Sequence, residues 1–431
     1  MVGEAPSART EDTVDIDGSM YEGGGGLIRY ATSYSCLLNR PIRIHSIRAN
    51  RPGVPGLRFE HTVAIDALRK LAGANVEGNV VKSCELRFTP QRDLTLLRNR
   101  TPASMEITVK GSACILLLAL LPYILFSQIV PRVSGSTQTS TKDQAIELVI
   151  RAGTLCVKAP SIFYMRQVLI PTLKLIGIGE ENLFLSEEYE QGWHTQGLQY
   201  PGKIVMRLKP LSQPLVGFVL QQRGRILKLR ATAHVPQDFL QDFDERLRTE
   251  IADLLMTKRP QDSHVEVDIH VFASPTRQHY HLLLAAETTF PVAFLGYEEV
   301  YPQPDRFPPE IEDDPAKIAE YLIRGCIRGI WKELRRGNSV DENMEDLLVM
   351  YQTLASGFSS VASSGTDSPV LEFNSDSEVL NESGQVYDID ASTMHRQTSW
   401  WIAKHMINVQ FEHRVESGRE LRGCIGIGHS S

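Results

Sequence analysis

An α+β fold, with similar units side by side and one block of different texture, follows from three features of the sequence. Helical and strand-like hydrophobic periods alternate in its first third. That texture returns further on, from about residue 161 and again from about residue 314. Between Leu208 and Phe272 the pattern changes to strand, charged helix, strand. The chain has 431 residues, and at roughly 150 residues per domain this allows about three units of structure. Hydrophobic residues make up 42% and charged residues 23%, ordinary globular usage, which excludes wholesale disorder, collagen and coiled coil.

The elements follow in order. Residues 1–15 read as a polar tail with no apolar run of the kind a secretory signal needs. Leu27, Ala31, Tyr34 and Leu38 recur at helical spacing. Ile42 and Ile44 alternate with Arg43 and His45 as a half-buried strand. Val63, Leu68 and Leu71 mark a second helix closed by Gly73. Leu86 and Phe88, then Met105, Ile107 and Val109, predict short strands. The most apolar run, Ala113 to Phe126, contains Pro122 and falls short of the roughly 20 residues of a membrane span, so it predicts a buried helix. A helix over 161–176 ends at Gly177, and Ile204, Met206 and Leu208 alternate in a strand. Asp314 as N-cap and Pro315 at the first helical position open a long helix that stops at Gly337. Another helix covers 341–354, and strands carry Val409 with Phe411 and Ile425 with Ile427.

These elements place the boundaries as a first core part over 16–207, an inserted small domain over 208–273, and a last core part over 274–428. Two stretches read as surface insertions, Ser134–Asp143 and Ser356–Asp390. The second is rich in Ser, Gly, Asp and Glu and is expected to be a disordered acidic loop.

Net charge is −7, which excludes a globally basic nucleic-acid coat and leaves room for a local basic site. Six cysteines, Cys36, Cys84, Cys114, Cys156, Cys326 and Cys424, show neither a zinc spacing nor a disulfide framework, as suits a reducing, intracellular setting.

Three stretches can carry chemistry. The first is Glu22-Gly23-Gly24-Gly25-Gly26 ahead of a helix that bears Arg29. Glycines let backbone N–H groups approach a phosphate, and a helix N-terminus adds positive potential. A flexible hairpin would use the same glycines. Glu22 is suited to a divalent metal or a ribose hydroxyl. The second is the Pro/Gly-stiffened loop with Arg48, Arg51, Arg58 and His61, whose guanidinium forks match phosphate oxygens. A solvated basic loop is its plainer use. The third is Ser392-Thr393-Met394-His395-Arg396-Gln397-Thr398, in which Ser or Thr caps a helix and His395 sits in the first turn. The helix dipole there is expected to keep the imidazole neutral and nucleophilic; the plainer use is a surface or capping histidine.

Together and in this order, these stretches resemble the RNA 3′-terminal phosphate cyclase family. The likeness is carried by DGSMYEGGGGLIRYATSYSCLLNRPIRIHSIRANRPGVPGLRFEH and the sequence after it to residue 90, by KGSACILLLALLP, by AGTLCVKAPSIFYMRQVLIPTLKLIG, by NSVDENMEDLLVMYQTLASG and by STMHRQTSWWIAKHMINVQFEH. The resemblance implies three repeated βαβαββ-type units with a smaller inserted α+β domain. It implies an enzyme of the ligase class that uses ATP and a divalent metal, Mg or Mn. Its nucleophilic histidine is adenylylated, and AMP passes to the 3′-phosphate of an RNA end, which closes to a 2′,3′-cyclic phosphate. By the same resemblance His395 is the nucleophile, and Glu22 contacts metal and ATP. Gly23, Gly24, Gly25, Leu118, Asn343, Met344, Glu345, Asp346 and Leu347 line the nucleotide, and Arg29, Arg48, Arg51, Arg58 and His61 handle phosphate and RNA.

Several positions depart from the family pattern. Gly26 stands where glutamine is usual after the glycine triplet, and Glu60-His61 replaces a Gln-His pair. Leu118 and Leu347 replace ATP-contacting glutamines, and Gly296-Tyr-Glu-Glu-Val-Tyr-Pro replaces a basic loop. A buried amide lost from a site costs about 1–3 kcal/mol per unsatisfied partner. A weak or inactive cyclase-like protein that binds RNA or a ribosome-assembly partner is therefore the alternative. An enolpyruvyl-transferase-like enzyme, which shares repeated α+β units, fits the glycine run and the capped histidine less well. The expected partners are ATP and an RNA 3′ end, with no membrane. By resemblance the location is the nucleus, with the cytoplasm as the alternative.

Overall fold

The computed structural model describes residues 13–51, 53–91, 103–127, 145–195, 198–258, 264–303, 307–308, 311, 314–363, 394–416 and 419–428. The chain is mixed α and β, with several small sheets and two hydrophobic cores.

The first sheet holds β1 (Val14–Asp17), β2 (Ile42–His45), β3 (Asn75–Glu77) and β4 (Leu86–Thr89), in the order β1-β2-β4-β3. Strands β1 and β2 are parallel, with Ile16 opposite Ile44, and β4 runs antiparallel to both its neighbours. The expected tail over 1–15 therefore ends earlier: Val14 and Ile16 alternate into the core face and pair with β2, while 1–12 lie outside the described residues. Between these strands run α1 (Gly25–Leu38) and α2 (Phe59–Ala72). Helix α2 ends at Gly73, in the left-handed region at φ 61° that a glycine C-cap supplies without strain.

The second sheet has the order β5-β6-β11-β8, from β5 (Ser104–Ser112), β6 (Ile146–Gly153), β8 (Leu183–Glu190) and β11 (Gly202–Leu208). Short strands β7 (Leu155–Cys156), β9 (Trp193–Thr195) and β10 (Leu198–Tyr200) form a small sheet beside it. Helix α3 (Ala113–Phe126) is buried on nearly every side, which explains its unbroken apolar run, and the Ser112 hydroxyl accepts the Ile115 N–H at 3.2 Å as its cap. Helix α4 covers 162–175, and its middle turn Met165–Leu169 is a π-helix.

A further sheet orders β13-β12-β14-β15, from β12 (Ile226–Val235), β13 (Glu266–Ala273), β14 (Tyr280–Thr288) and β15 (Phe294–Tyr301). With α5 (Leu240–Asp253) and α6 (Pro315–Arg336) it encloses the second core, from Ile226 to Leu334. This unit runs well past 273, because Leu282, Leu284, Leu295 and Leu322 share one buried cluster with Leu229 and Phe243. The stretch expected to be an acidic loop at Glu298–Glu299 is the interior of β15. Glu298 accepts the Ser161 N–H at 2.8 Å and meets His281 at 3.1 Å.

The last sheet orders β16-β18-β17, from β16 (Ser356–Ser363), β17 (Phe411–Glu416) and β18 (Arg419–Ile427), with Val216 and Val219 bridging in parallel to Ser356 and Ser360. The expected loop over 356–390 thus begins as a paired strand, since Ser359 and Val361 turn into the core. The remainder of that loop and the expected insertion at 134–143 lie outside the described residues. The helix expected over 341–354 breaks at Leu348 into α7 (Glu342–Leu347) and α8 (Val349–Leu354). Helix α9 (Met394–Ile407) follows. Residues of α1, α2, α3, α4, α8 and α9 join the first core, which fixes α1 against α9 and α3. Cross-ties add to this: Ser33 Oγ donates to the Ala119 carbonyl at 2.7 Å, and Arg40 Nη1 to the Met406 carbonyl at 2.7 Å. Among the described residues no helix is long and apolar enough to cross a membrane.

Candidate active site

The glycine run is a turn between β1 and α1 that lies across the first turns of α9. Gly23 takes φ 57°, open to glycine without strain, and an added Cβ there would meet the Gly18 carbonyl oxygen at 3.0 Å. A Cβ on Gly24 would run into the Glu22 carboxylate and the Arg51 guanidinium, and one on Gly25 would stand 2.7 Å from His61 Nε2. The glycines therefore let three functional side chains close over the start of α1. Gly24, as N-cap, supplies no side-chain cap, so the first N–H groups of α1 stay available to a ligand.

Glu22 is the centre of the cluster. Its side chain is only 12% exposed; Oε2 lies 2.9 Å from His395 Nδ1, and Oε1 takes an ion pair from Arg51. The Glu22 N–H reaches Thr398 Oγ1 at 3.3 Å, one turn along α9, and the Thr398 hydroxyl donates to the Met394 carbonyl at 2.7 Å. Burial works to raise the Glu22 pKa, but His395 and Arg51 outweigh it and hold the carboxyl below its usual range. His395 is raised instead, chiefly by the Glu22 carboxylate beside it. The expectation that the helix dipole keeps this ring neutral left out an opposing effect: a carboxylate at 2.9 Å raises the proton affinity of the ring. The capping residues expected at Ser392 and Thr393 lie outside the described residues.

The arginine loop brings a concentrated positive field. Arg48 is 6% exposed at φ 59°, a left-handed conformation rare for a long side chain. Burial, then Arg58 and Arg51, lower its pKa. His61 sits in the first turn of α2, where its Nδ1 accepts the Arg58 N–H at 3.1 Å. Burial and then Arg29, Arg48, Arg58 and Arg51 press its pKa down to about 3. Four guanidinium groups acting on one buried imidazole form a cradle for a multiply charged anion.

That cradle, the glycine turn and the histidine at a helix start lie within one stretch of family likeness. The family model for RNA 3′-terminal phosphate cyclase matches residues 20–413.

The chain belongs to the RNA 3′-terminal phosphate cyclase family.

Its similarity to individual cyclases is moderate and long. It is 27% identical over 434 residues to the RNA 3′-terminal phosphate cyclase of Drosophila melanogaster, covering 97% of this chain and 98% of the relative. With the cyclase of Staphylothermus marinus it shares 29% over 348 residues, 80% of this chain and 86% of the relative. With that of Sulfolobus acidocaldarius it shares 33% over 184 residues, 43% and 47%.

The residues expected at the site divide into two groups. Glu22, Gly23, Gly24, Gly25, Arg29, Arg48, Arg51, Arg58, His61 and His395 come together. Asp346 joins them: burial raises its pKa to about 6, opposed by His395 and Arg29. The rest of the expected nucleotide motif has other surroundings. Met344 is fully buried in the first core, which leaves it no surface for a ligand. Glu345 is held by Arg336 and Arg396. Leu118 and Leu347 are half-buried and pack against the first core, and Asn343 is exposed at the start of α7. Sequence reasoning included Thr398 in the histidine stretch without giving it a role, and missed Tyr30. Tyr30 donates through its hydroxyl to the Asp346 carbonyl at 3.1 Å. Thr398 was legible in principle, one helical turn after His395; Tyr30 carried no local signal.

Proposed function

We propose that the chain is an ATP-dependent RNA 3′-terminal phosphate cyclase that works through a histidine–AMP intermediate on His395. The observation that carries this is the His395–Glu22 pair at 2.9 Å beside the arginine cradle. Glu22 holds the proton on Nδ1, so the deprotonated ring carries its lone pair on Nε2, and the side chain is 60% exposed toward an incoming group. Nε2 attacks the α-phosphate of ATP; an N–P bond forms, the α–β P–O bond breaks, and pyrophosphate leaves. A terminal oxygen of the RNA 3′-phosphate then attacks the same phosphorus, and the P–N bond breaks. Finally the 2′-OH attacks the 3′-phosphate, loses its proton, and AMP departs as the cyclic diester closes. Arg48, Arg58 and Arg29 hold the RNA phosphate and the triphosphate in this reading, and the free N–H groups at the start of α1 add donors.

Among the described residues no group of three or more His, Cys, Asp and Glu could hold a metal unaided. A single buried carboxylate, Glu22, fits instead a magnesium or manganese ion that arrives on the triphosphate and neutralises charge there. The three sheets around the first core support a structural part of the same reading. Each joins a parallel pair to antiparallel neighbours, β1-β2-β4-β3, β5-β6-β11-β8 and the Val216–Val219 bridges with β16-β18-β17. We read them as three copies of one βαβαββ unit, interrupted by the unit from Ile226 to Leu334.

The core-facing Leu118 and Leu347 favour a second reading, an RNA-binding or ribosome-assembly protein with weak or no catalysis. Incubation with α-labelled ATP and Mg or Mn separates the two. The enzyme reading expects acid-labile, alkali-stable label on the protein and none on His395→Asn. An unlabelled wild type with either metal supports the second reading.

A further inference from the structure

Behind the reacting cluster runs a chain of four buried charges, Glu333–Arg336–Glu345–Arg396. Arg336 Nη1 donates to Glu333 Oε2 at 2.9 Å, and the same Glu333 oxygen accepts the Glu342 N–H at 3.2 Å. Arg336 Nη2 then pairs with Glu345 Oε1, and Arg396 Nη1 with Glu345 Oε2. Asn338 Nδ2 adds a contact to Glu345 Oε1 at 3.4 Å. The side chains are 4%, 16%, 2% and 11% exposed in that order, two acids balanced by two bases. The chain joins three elements. Arg336 ends α6, which belongs to the second core; Glu345 lies on α7; and Arg396 lies in the first turn of α9, one residue from His395. On its other side Arg396 lies 5.0 Å from the Trp400 ring, over which Arg422 also stacks at 3.8 Å.

Buried ion pairs are a poor route to stability, because well-packed apolar residues of similar volume often do as well. What such a pair supplies is a single geometry. Here that geometry bears on the turn that carries His395.

We propose that Glu345 is a positioning residue for the reaction of His395: by holding Arg396 it fixes the first turn of α9, so that the His395 ring meets Glu22. This rests on His395 being the nucleophile, and it replaces the expected role of Glu345 as a nucleotide contact. A displacement of about 1 Å at a reacting group can cost about 10²-fold in rate, so a tie one residue away has leverage without touching substrate.

The test compares wild type with Glu345→Gln, which keeps shape and removes charge. A second variant, Glu345→Leu with Arg396→Met, keeps apolar volume should the first fail to fold. Two readouts are taken below the melting temperature of each protein. The first is labelling by α-labelled ATP: the rate at saturating ATP should fall about 10- to 100-fold, with little change in the ATP concentration for half-maximal rate. The second is the NMR titration of the His395 ring, which faces Glu22, Asp346 and Arg29, all retained in both variants. Its midpoint should drop toward the ordinary histidine value as the ring loses Glu22. A lower melting temperature with unchanged rate and titration would overturn the proposal, leaving Glu345 a structural residue. So would a change in half-saturation alone, which would make it an ATP contact. Should wild type itself take no label, the nucleophile reading fails, and this proposal fails with it; label on wild type with an unchanged rate in the variants overturns this proposal alone.

Discussion

His395 Nδ1 stands 2.9 Å from Glu22 Oε2, across a gap of more than 370 residues in the chain, and Arg51 holds the other oxygen of the same carboxylate. The contact exists because two helix starts converge. The glycine turn leading into α1 lies over the first turn of α9, and Thr398 ties the Glu22 backbone to that turn. One carboxylate thereby raises the proton affinity of the ring.

The pH dependence of labelling should report that pair. Glu22 raises the His395 pKa, and the neutral ring is the reactive form, so the labelling rate should rise with pH through a midpoint above the ordinary histidine value. In Glu22→Gln the carboxylate is gone and the midpoint should move to lower pH, whatever happens to the plateau. The linked stability runs the other way: a raised histidine stabilises the fold at low pH and loses that contribution as pH rises through its folded pKa. An unmoved midpoint in Glu22→Gln would separate this carboxylate from the titration.

Arg48 should matter for phosphate and little for folding. It is crowded by Arg51 and Arg58, so removing it relieves like-charge repulsion. Arg48→Ala should keep a near-normal urea midpoint, yet weaken binding of a 3′-phosphorylated oligonucleotide by about 1.5–3 kcal/mol. Binding of the same oligonucleotide ending in 3′-OH should change far less. Equal losses for both would reduce the loop to a generic basic surface.

The helices were legible where their ends carry chemistry. Asp314 and Pro315 open α6 and Gly337 closes it, as capping predicts, and the Asp314 carboxylate accepts the Ala316 and Lys317 N–H groups. The glycine run and the arginine loop were legible as a candidate anion site because residue type alone sets what they can do, and the fold brings them together. Three things were not. The proton affinity of His395 depends on a carboxylate brought from the far end of the chain. The second unit hides its extent, because β14 and β15 look like the strands of any other unit and only a shared core shows where they belong. Glu345 reads as a nucleotide contact by resemblance, and only the fold shows it buried against Arg396.

Leu118 and Leu347 offer a test of the nucleotide side. Both are half-buried on the first core, where the family pattern has glutamine. Leu118→Gln with Leu347→Gln restores two donor–acceptor pairs at about 1 kcal/mol each, so ATP should bind about 30-fold more tightly to the double variant. Calorimetric titration of ATP into each single variant and the double variant measures this. Unchanged affinity in all three would mean that α3 and α7 do not line a nucleotide site in this protein.

His61 gives a reading of the positive field without any enzymatic assay. Its ring is 7% exposed, with a pKa pressed to about 3 by burial and four arginines. The unfolded chain takes up a proton on this histidine near pH 6.5, whereas the native protein does not until far lower pH. Between those values the unfolded state binds more protons, so the native state loses stability as pH falls, at up to about 1.4 kcal/mol per pH unit from this group. Against a His61→Gln reference, wild type should lose about 2 kcal/mol more between pH 7 and pH 5, measured by urea unfolding. The lost Arg58 N–H contact offsets the variant by a constant and leaves the pH slope untouched. Inorganic phosphate in the cradle would neutralise part of the guanidinium charge, raise the His61 pKa and flatten the slope. A difference that stays constant from pH 7 to pH 5 would mean the histidine titrates normally and the arginines do not converge on it. A slope that phosphate leaves untouched would place the anion elsewhere.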